Sequence, residues 1–192
     1  YINMNTQSGT HYLGAVDFGT SATTARAISN SSSSTSGIMY LNGVTLNSVA
    51  NTVIWNESSA THSFTVANTF GIGLNNTTNN VIQITGTGGI TIAAIISGTS
   101  KNLTKSGSGS GVLLLSGANT YTGTTTITTG TLQLGVANAL PIGNPGGGII
   151  LNGGTLSTGA MTGFSDGTSS TSNMGTLTLN ENSIITLGTG LH

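Results

Sequence analysis

Across residues 111–135, short apolar runs alternate with corners built from glycine, serine and threonine. Val112–Leu115 is a continuous run of branched aliphatic residues, closed by Gly111 before it and Ser116-Gly117 after it. Such a run is too short for a helix and suits a strand covered on both faces. Residues 118–123 are turn-rich and carry one aromatic, Tyr121. Residues 124–128 are β-branched throughout, which favours strand because branching at Cβ restricts χ1 in a helix. Thr129-Gly130 makes a tight corner, since glycine tolerates positive φ. In Thr131–Leu134 the leucines take one face, and Thr131 and Gln133 the other. Strand, corner, strand, corner, with no helical periodicity, is the pattern of a β-solenoid coil.

The pattern returns along the chain. Residues 149–156 and 39–46 repeat the order of apolar strand, glycine corner and Thr-Leu, and residues 177–187 are a looser copy. The steps from Gly107 to Gly130 and from Gly130 to Gly153 are both 23 residues. A period of roughly 20–25 residues corresponds to one coil of a parallel β-helix and not to a sandwich hairpin. The expected fold is therefore all-β, a parallel β-helix of about nine coils, roughly 40 Å long at ~4.8 Å per rung. Residues 1–37 read as an N-terminal arm, a first strand and a serine-rich loop, and residues 38–192 as the β-helix. Gly43, Gly130 and Gly153 are the expected structural corners. Leu113, Leu115, Ile127, Leu132, Leu134, Leu151 and Leu156 are the expected inward ladder.

A family pattern lies on the same residues. Leu103-Thr104-Lys105-Ser106-Gly107 forms a lead-in of the type Leu-Thr-Lys-x-Gly. Leu113 to Gly123 reads Leu-x-Leu-Ser-Gly-x-Asn-Thr-Tyr-x-Gly, Thr125 to Ile127 reads Thr-x-Ile, and Gly130 to Gly135 reads Gly-Thr-Leu-x-Leu-Gly. This stretch resembles the autotransporter-associated β-strand repeat, also called the passenger-associated transport repeat, with the best match over residues 96–156. Thr124 stands where a second glycine is frequent, and Thr128-Thr129 where Asn-Ala is usual. The resemblance implies a right-handed parallel β-helix on long, exported bacterial surface proteins, and it implies no enzymatic residue.

Charged residues are 4% of the chain, against roughly 25% in ordinary globular proteins. With a net charge of −1, colloidal repulsion is weak and self-association is expected. Three basic residues cannot track a phosphate backbone, which excludes nucleic acid as a partner. Cysteine is absent, so stability must come from stacked hydrogen bonds and side-chain ladders and not from disulfides. The longest apolar run, near residues 90–96, is far short of a membrane span. Tyr1 opens the sequence without a charged-then-apolar leader, which fits a removed signal peptide or an excerpt.

Candidate chemistry is sparse. The four acids are Asp17, Glu57, Asp166 and Glu181. Asp17 and Glu57 are 40 residues apart, about two coils, which would put them on one face some 10 Å apart. No arginine or third acid accompanies them, so solvated single acids that discourage off-register pairing are the stronger reading, and no catalytic residue is assigned. His11, His62 and His192 have no ligand spacing and read as surface histidines, so no metal or other cofactor is expected. Lys101 and Lys105 are expected to face outward beside Leu103. Trp55, Tyr40 and Phe64 are the candidates for a sugar-stacking platform, weighed against packing in a core or under a loop. Tyr121 is expected to pack with its hydroxyl bonded. Thr124, Thr126 and Thr128 share a strand face, but an ice-binding array would need such faces on successive coils.

The sequence thus points to a non-enzymatic structural or adhesive rod, secreted or at the cell surface. Because open coil ends template pairing, the ends are expected to be continued either by further coils of a longer rod or by a second copy in a head-to-tail filament, with N-terminal strand exchange as one route. The alternatives are a carbohydrate-binding adhesin module that recognises surface glycans through residues 29–37 and 162–175, and, third, a polysaccharide-degrading β-helix enzyme.

Overall fold

The computed structural model describes residues 2–3, 10–29, 37–65, 71–76, 78–136, 139–141, 147–159 and 176–188. The described strands wind into seven coils and the start of an eighth. The first coil holds β1 (Ile2–Asn3), β2 (Thr10–Leu13) and β3 (Val16–Phe18). The second holds β4 (Ala27–Ser29), β5 (Ile38–Leu41), β6 (Val44–Leu46) and β7 (Val49–Asn56). The third holds β8 (His62–Phe64), β9 (Gly71–Leu74) and β10 (Asn79–Ile84), and the fourth β11 (Ile90–Ile92), β12 (Ile95–Ser97) and β13 (Asn102–Ser106). The fifth holds β14 (Val112–Leu115) and β15 (Thr125–Ile127), the sixth β16 (Thr131–Leu134) and β17 (Ile149–Asn152), and the seventh β18 (Thr155–Ser157) and β19 (Leu177–Asn180). β20 (Ile184–Thr186) begins the eighth. Seven steps at ~4.8 Å make a stack of about 34 Å, shorter than nine coils would give.

Three parallel sheets wall the stack. Sheet A runs β1-β4-β8-β11-β14-β16-β18-β20, sheet B runs β2-β5-β9-β12, and sheet C runs β3-β7-β10-β13-β15-β17-β19. The chain is therefore an all-β parallel β-helix. The expected boundary at residue 37 does not divide the sheets: β2, β3 and β4 lie before it and pair in register with β5, β7 and β8.

Coil length is uneven. Register partners on sheet A are 36 residues apart from Ile28 to Phe64, 28 from Phe64 to Ile92, 23 from Ile92 to Leu115, and 19 from Leu115 to Leu134. The middle coils approach the expected period and the second far exceeds it. Part of the excess is a hairpin: β6 pairs antiparallel with β7 across Asn47 and Ser48, which stand at φ +46° and +61°. Positive φ at both central residues is what a two-residue hairpin turn requires. The hairpin lies on sheet C, where Gln83 Nε2 donates to Leu46 O at 3.2 Å and to Thr52 Oγ1 at 2.6 Å.

The core is a set of columns running along the axis, one residue per coil. On sheet A, Ile90, Leu113, Leu132 and Leu156 stack in register, with Ile28, Phe64, Ile92, Leu115 and Leu134 beside them, all buried. On sheet C the column is Val16, Ile54, Ile82, Lys105, Ile127, Leu151 and Leu179. Burying one such aliphatic side chain contributes roughly 1.5–3 kcal/mol. Lys105 is fully buried, which corrects the outward placement expected for it. Strand period two puts residues 103 and 105 on the same face, and Leu103 is a core residue. The ammonium finds carbonyls instead of water: Nζ donates to Ser106 O at 2.8 Å and to Thr129 O at 3.3 Å.

Sheet B ends at β12, and the transport-repeat-like segment replaces it with side-chain bonds. Asn119 Oδ1 accepts from Ile96 N at 2.8 Å, and Asn119 Nδ2 donates to Ala139 O at 2.6 Å. One buried amide thus ties the fourth, fifth and sixth coils. Tyr121 is fully buried, its hydroxyl 2.6 Å from Thr125 Oγ1. Gly43, Gly130 and Gly153 stand at φ +73°, +70° and +97°.

Candidate functional site

The sugar-stacking candidates lie in three different places. Phe64 points into the core with no exposed surface and packs edge-on against Phe18, centroids 6.2 Å apart, so it is not part of a surface platform. Alternation explains this: Phe64 shares its parity with His62 on β8, and both are buried. Tyr40 is on the outer face of sheet B. Its ring lies where a side chain on Gly73 would stand, and Tyr12, its register partner, stacks on it at 5.3 Å. Tyr12 is 62% exposed. Tyr12 was not among the candidates, and only the structure's 28-residue register between Tyr12 and Tyr40 reveals the pair.

Trp55 is on the outer face of sheet C, half-buried, with Nε1–H donating to Thr85 Oγ1 at 2.9 Å. Its register partners are Asp17 on β3 and Gln83 on β10. Glu57 follows two residues later, and its Oε1 accepts from Thr20 N at 3.2 Å. The two acids therefore sit on neighbouring coils, one step apart and not two, because the second coil carries the hairpin. Burial, and then the charge of Glu57, push the Asp17 carboxyl above the usual carboxylate range. An indole beside a carboxylate can stack on one sugar face and bond a hydroxyl.

His62 is buried, which corrects its expected surface position. Its ring stacks flat on Phe18, centroids 4.0 Å apart and planes within 4°. Nδ1 accepts from Arg26 N at 3.1 Å, so the proton of the neutral ring is on Nε2, 2.8 Å from Ser58 Oγ. Ser58 in turn donates to Asn56 Oδ1 at 2.7 Å. Asn56 Nδ2 donates to Gly88 O and Gly89 O, both at 3.0 Å. A serine 2.8 Å from a histidine is the contact of nucleophilic catalysis, but this tautomer donates to the serine and cannot take its proton. Ser58 is also closed from solvent. The cluster pins the corner between sheets C and A across the second and third coils.

His11 is half-buried on β2; His192 and Asp166 lie outside the described residues. Among the described residues no three His, Cys, Asp or Glu side chains converge as a metal site. Lys101 Nζ donates to Asn76 O. Of the loops considered for ligand recognition, residues 30–36 and 162–175 lie outside the described residues.

Residues 103–134 match the family model of the passenger-associated transport repeat. The match covers most of β13 and all of β14 to β16, whose ladders run without a register shift. No curated protein and no solved structure matches the chain.

Proposed function

From the transport repeat at residues 103–134, we propose that this chain is a structural and adhesive β-solenoid segment of an exported bacterial surface protein, acting through its shape. The observation that carries the reading is the in-register column that runs through every described coil of sheet A. Such a stack is stiff along its axis because each coil hydrogen-bonds to the next over several residues. The rod associates end to end. Leu177 and Leu179 on β19 stand in register above the buried Ile149 and Leu151, yet Leu179 is 58% exposed, so a further coil would bury them. Negative-stain electron microscopy of the isolated 192-residue chain tests this, with strings of short rods expected for the native chain and single rods for Leu179→Glu. Native single rods at high concentration would remove the filament from the reading.

A second reading has one specific observation in its favour. Trp55 beside Asp17 supplies a stacking surface and an acceptor for a glycan hydroxyl. Glycan binding that survives Trp55→Ala would exclude that patch.

A further inference from the structure

We propose that His62 is an acid-sensitive latch on the first three coils: a proton taken up at Nδ1 breaks the Arg26–His62–Ser58–Asn56 chain and loosens those coils, while the coils of the transport repeat stay closed. In the neutral state both ring nitrogens are satisfied, Nδ1 by the Arg26 N–H and Nε2–H by Ser58 Oγ. The one position left for a second proton is Nδ1. A proton there turns the acceptor into a donor facing another donor, and the bond to Arg26 N is lost. The ring cannot swing out to water without vacating the core, because it is buried between Phe18 and the inward column that continues at Ile90.

The charged groups around the ring do not rescue the imidazolium. From the residue that leads into β4 the neighbour is Arg26, of the same sign. From β3 it is Asp17, exposed on the outer face beside Trp55. From the corner after β7 it is Glu57, bonded to Thr20 N. β11, which pairs with β8 on the other side, brings no titratable residue. Burial first, and the Arg26 charge second, hold the His62 pKa below its ordinary 6.5. The folded-state pKa is lowered, so the unfolded chain binds the proton more readily. The stability His62 protects is therefore complete above about pH 6.5 and is lost as pH falls below it.

The transport repeat provides an internal control. Residues 103–158 contain no histidine, aspartate or glutamate, and Lys105, with its amine lowered to about 8, is already mostly protonated at pH 7.5, so little there titrates as pH falls from 7.5 to 5. Acid should therefore act on one half of the stack only.

Hydrogen exchange of the full chain at pH 7.5 and 5.0, expressed as protection factors, tests the latch. Peptides spanning residues 16–29 and 54–65 should lose protection by about tenfold or more, and peptides within residues 103–136 should keep theirs. In His62→Gln, which cannot titrate, the acid loss should disappear. Equal loss along the whole chain, no loss in the native protein, or the same loss in His62→Gln would each overturn the proposal, the last because a group other than His62 would then carry the acid sensitivity. Should His62→Gln not fold, the imidazole 15N shifts of the native protein decide. A ring that stays Nε2-protonated and titrates below 6.5 supports the latch, and one that titrates at or above 6.5 rejects it.

Discussion

The second and third coils and the fifth and sixth coils are built on the same parallel ladders, but their corners are closed by different means. In the second and third coils the corner between sheets C and A is filled by Asn56, Ser58 and His62, bonded to one another and to main-chain carbonyls. In the fifth and sixth coils the same corner is Thr128-Thr129-Gly130, filled by the Lys105 ammonium, which donates to Thr129 O, while Thr128 Oγ1 donates to Lys105 O. One corner earlier, between the fourth and fifth coils, Gly109 and Gly111 pass so close to the coil before them that a Cβ would stand 2.1 Å and 2.0 Å from the carbonyls of Gly86 and Gly88. The difference teaches that the ladder tolerates either filling, a three-residue cluster or a single ammonium, each of which donates to main-chain carbonyls.

The sharpest way to break this comparison is to cut the leucine column of the short coils. Leu132 stacks between Leu113 and Leu156, whose positions are held by main-chain register and cannot collapse far into a void. Leu132→Ala should cost roughly 2–5 kcal/mol, measured by urea denaturation. A loss below about 1 kcal/mol would mean that the backbone ladder alone closes these coils.

The second test uses the charged residue in the core columns of the repeat. Burial lowers the Lys105 amine from 10.5 to about 8. The folded pKa lies below the unfolded one, so the penalty of the buried charge is full below pH 8 and is relieved as pH rises toward 10.5. Stability should increase by on the order of 2 kcal/mol between pH 8 and 9.5. Lys105→Met should flatten that slope. Above pH 10 the trend reverses, because burial raises the Tyr121 phenol and its ionisation favours the unfolded chain. A slope that persists in Lys105→Met would place the titration elsewhere.

How much of this was legible follows the same division. In the repeat, strict alternation and evenly stepped glycines marked which leucines share a face, and Leu113, Leu132 and Leu156 do stack. Lys105 was legible in principle, since it has the parity of Leu103, but its charge argued for water. Asn119 read only as a turn residue, because nothing local says that its amide spans three coils. In the second and third coils the hairpin broke the period, so spacing misjudged how far Asp17 lies from Glu57. Asn56 and His62 keep the inward parity of Ile54 and Phe64, but polarity argued against burial. A polar residue at an inward position declares itself only when its partners, 20 to 36 residues away in other coils, are known.

The smallest effects come from the turns, where the two regions solve one backbone problem with different residues. The repeat places Gly130 at φ +70°, under Lys105, where a Cβ would stand 2.7 Å from Nζ. A β-branched residue there meets both the left-handed penalty and the ammonium, so Gly130→Val should cost about 1–2 kcal/mol or more. The hairpin of the second coil instead holds Asn47 and Ser48 at positive φ in an exposed turn. Asparagine adopts this region with little strain, and serine does so less readily. Ser48→Gly would create the Asn-Gly pair that such hairpin turns favour, and should stabilise by about 0.5–1 kcal/mol. Thermal melts of the two variants should therefore shift in opposite directions. A destabilised Ser48→Gly would show that the Ser48 side chain makes a contact that offsets its strain. An unchanged melt for Gly130→Val would show that the corner can move away from Lys105, and that the repeat is less tightly closed than its ladders imply.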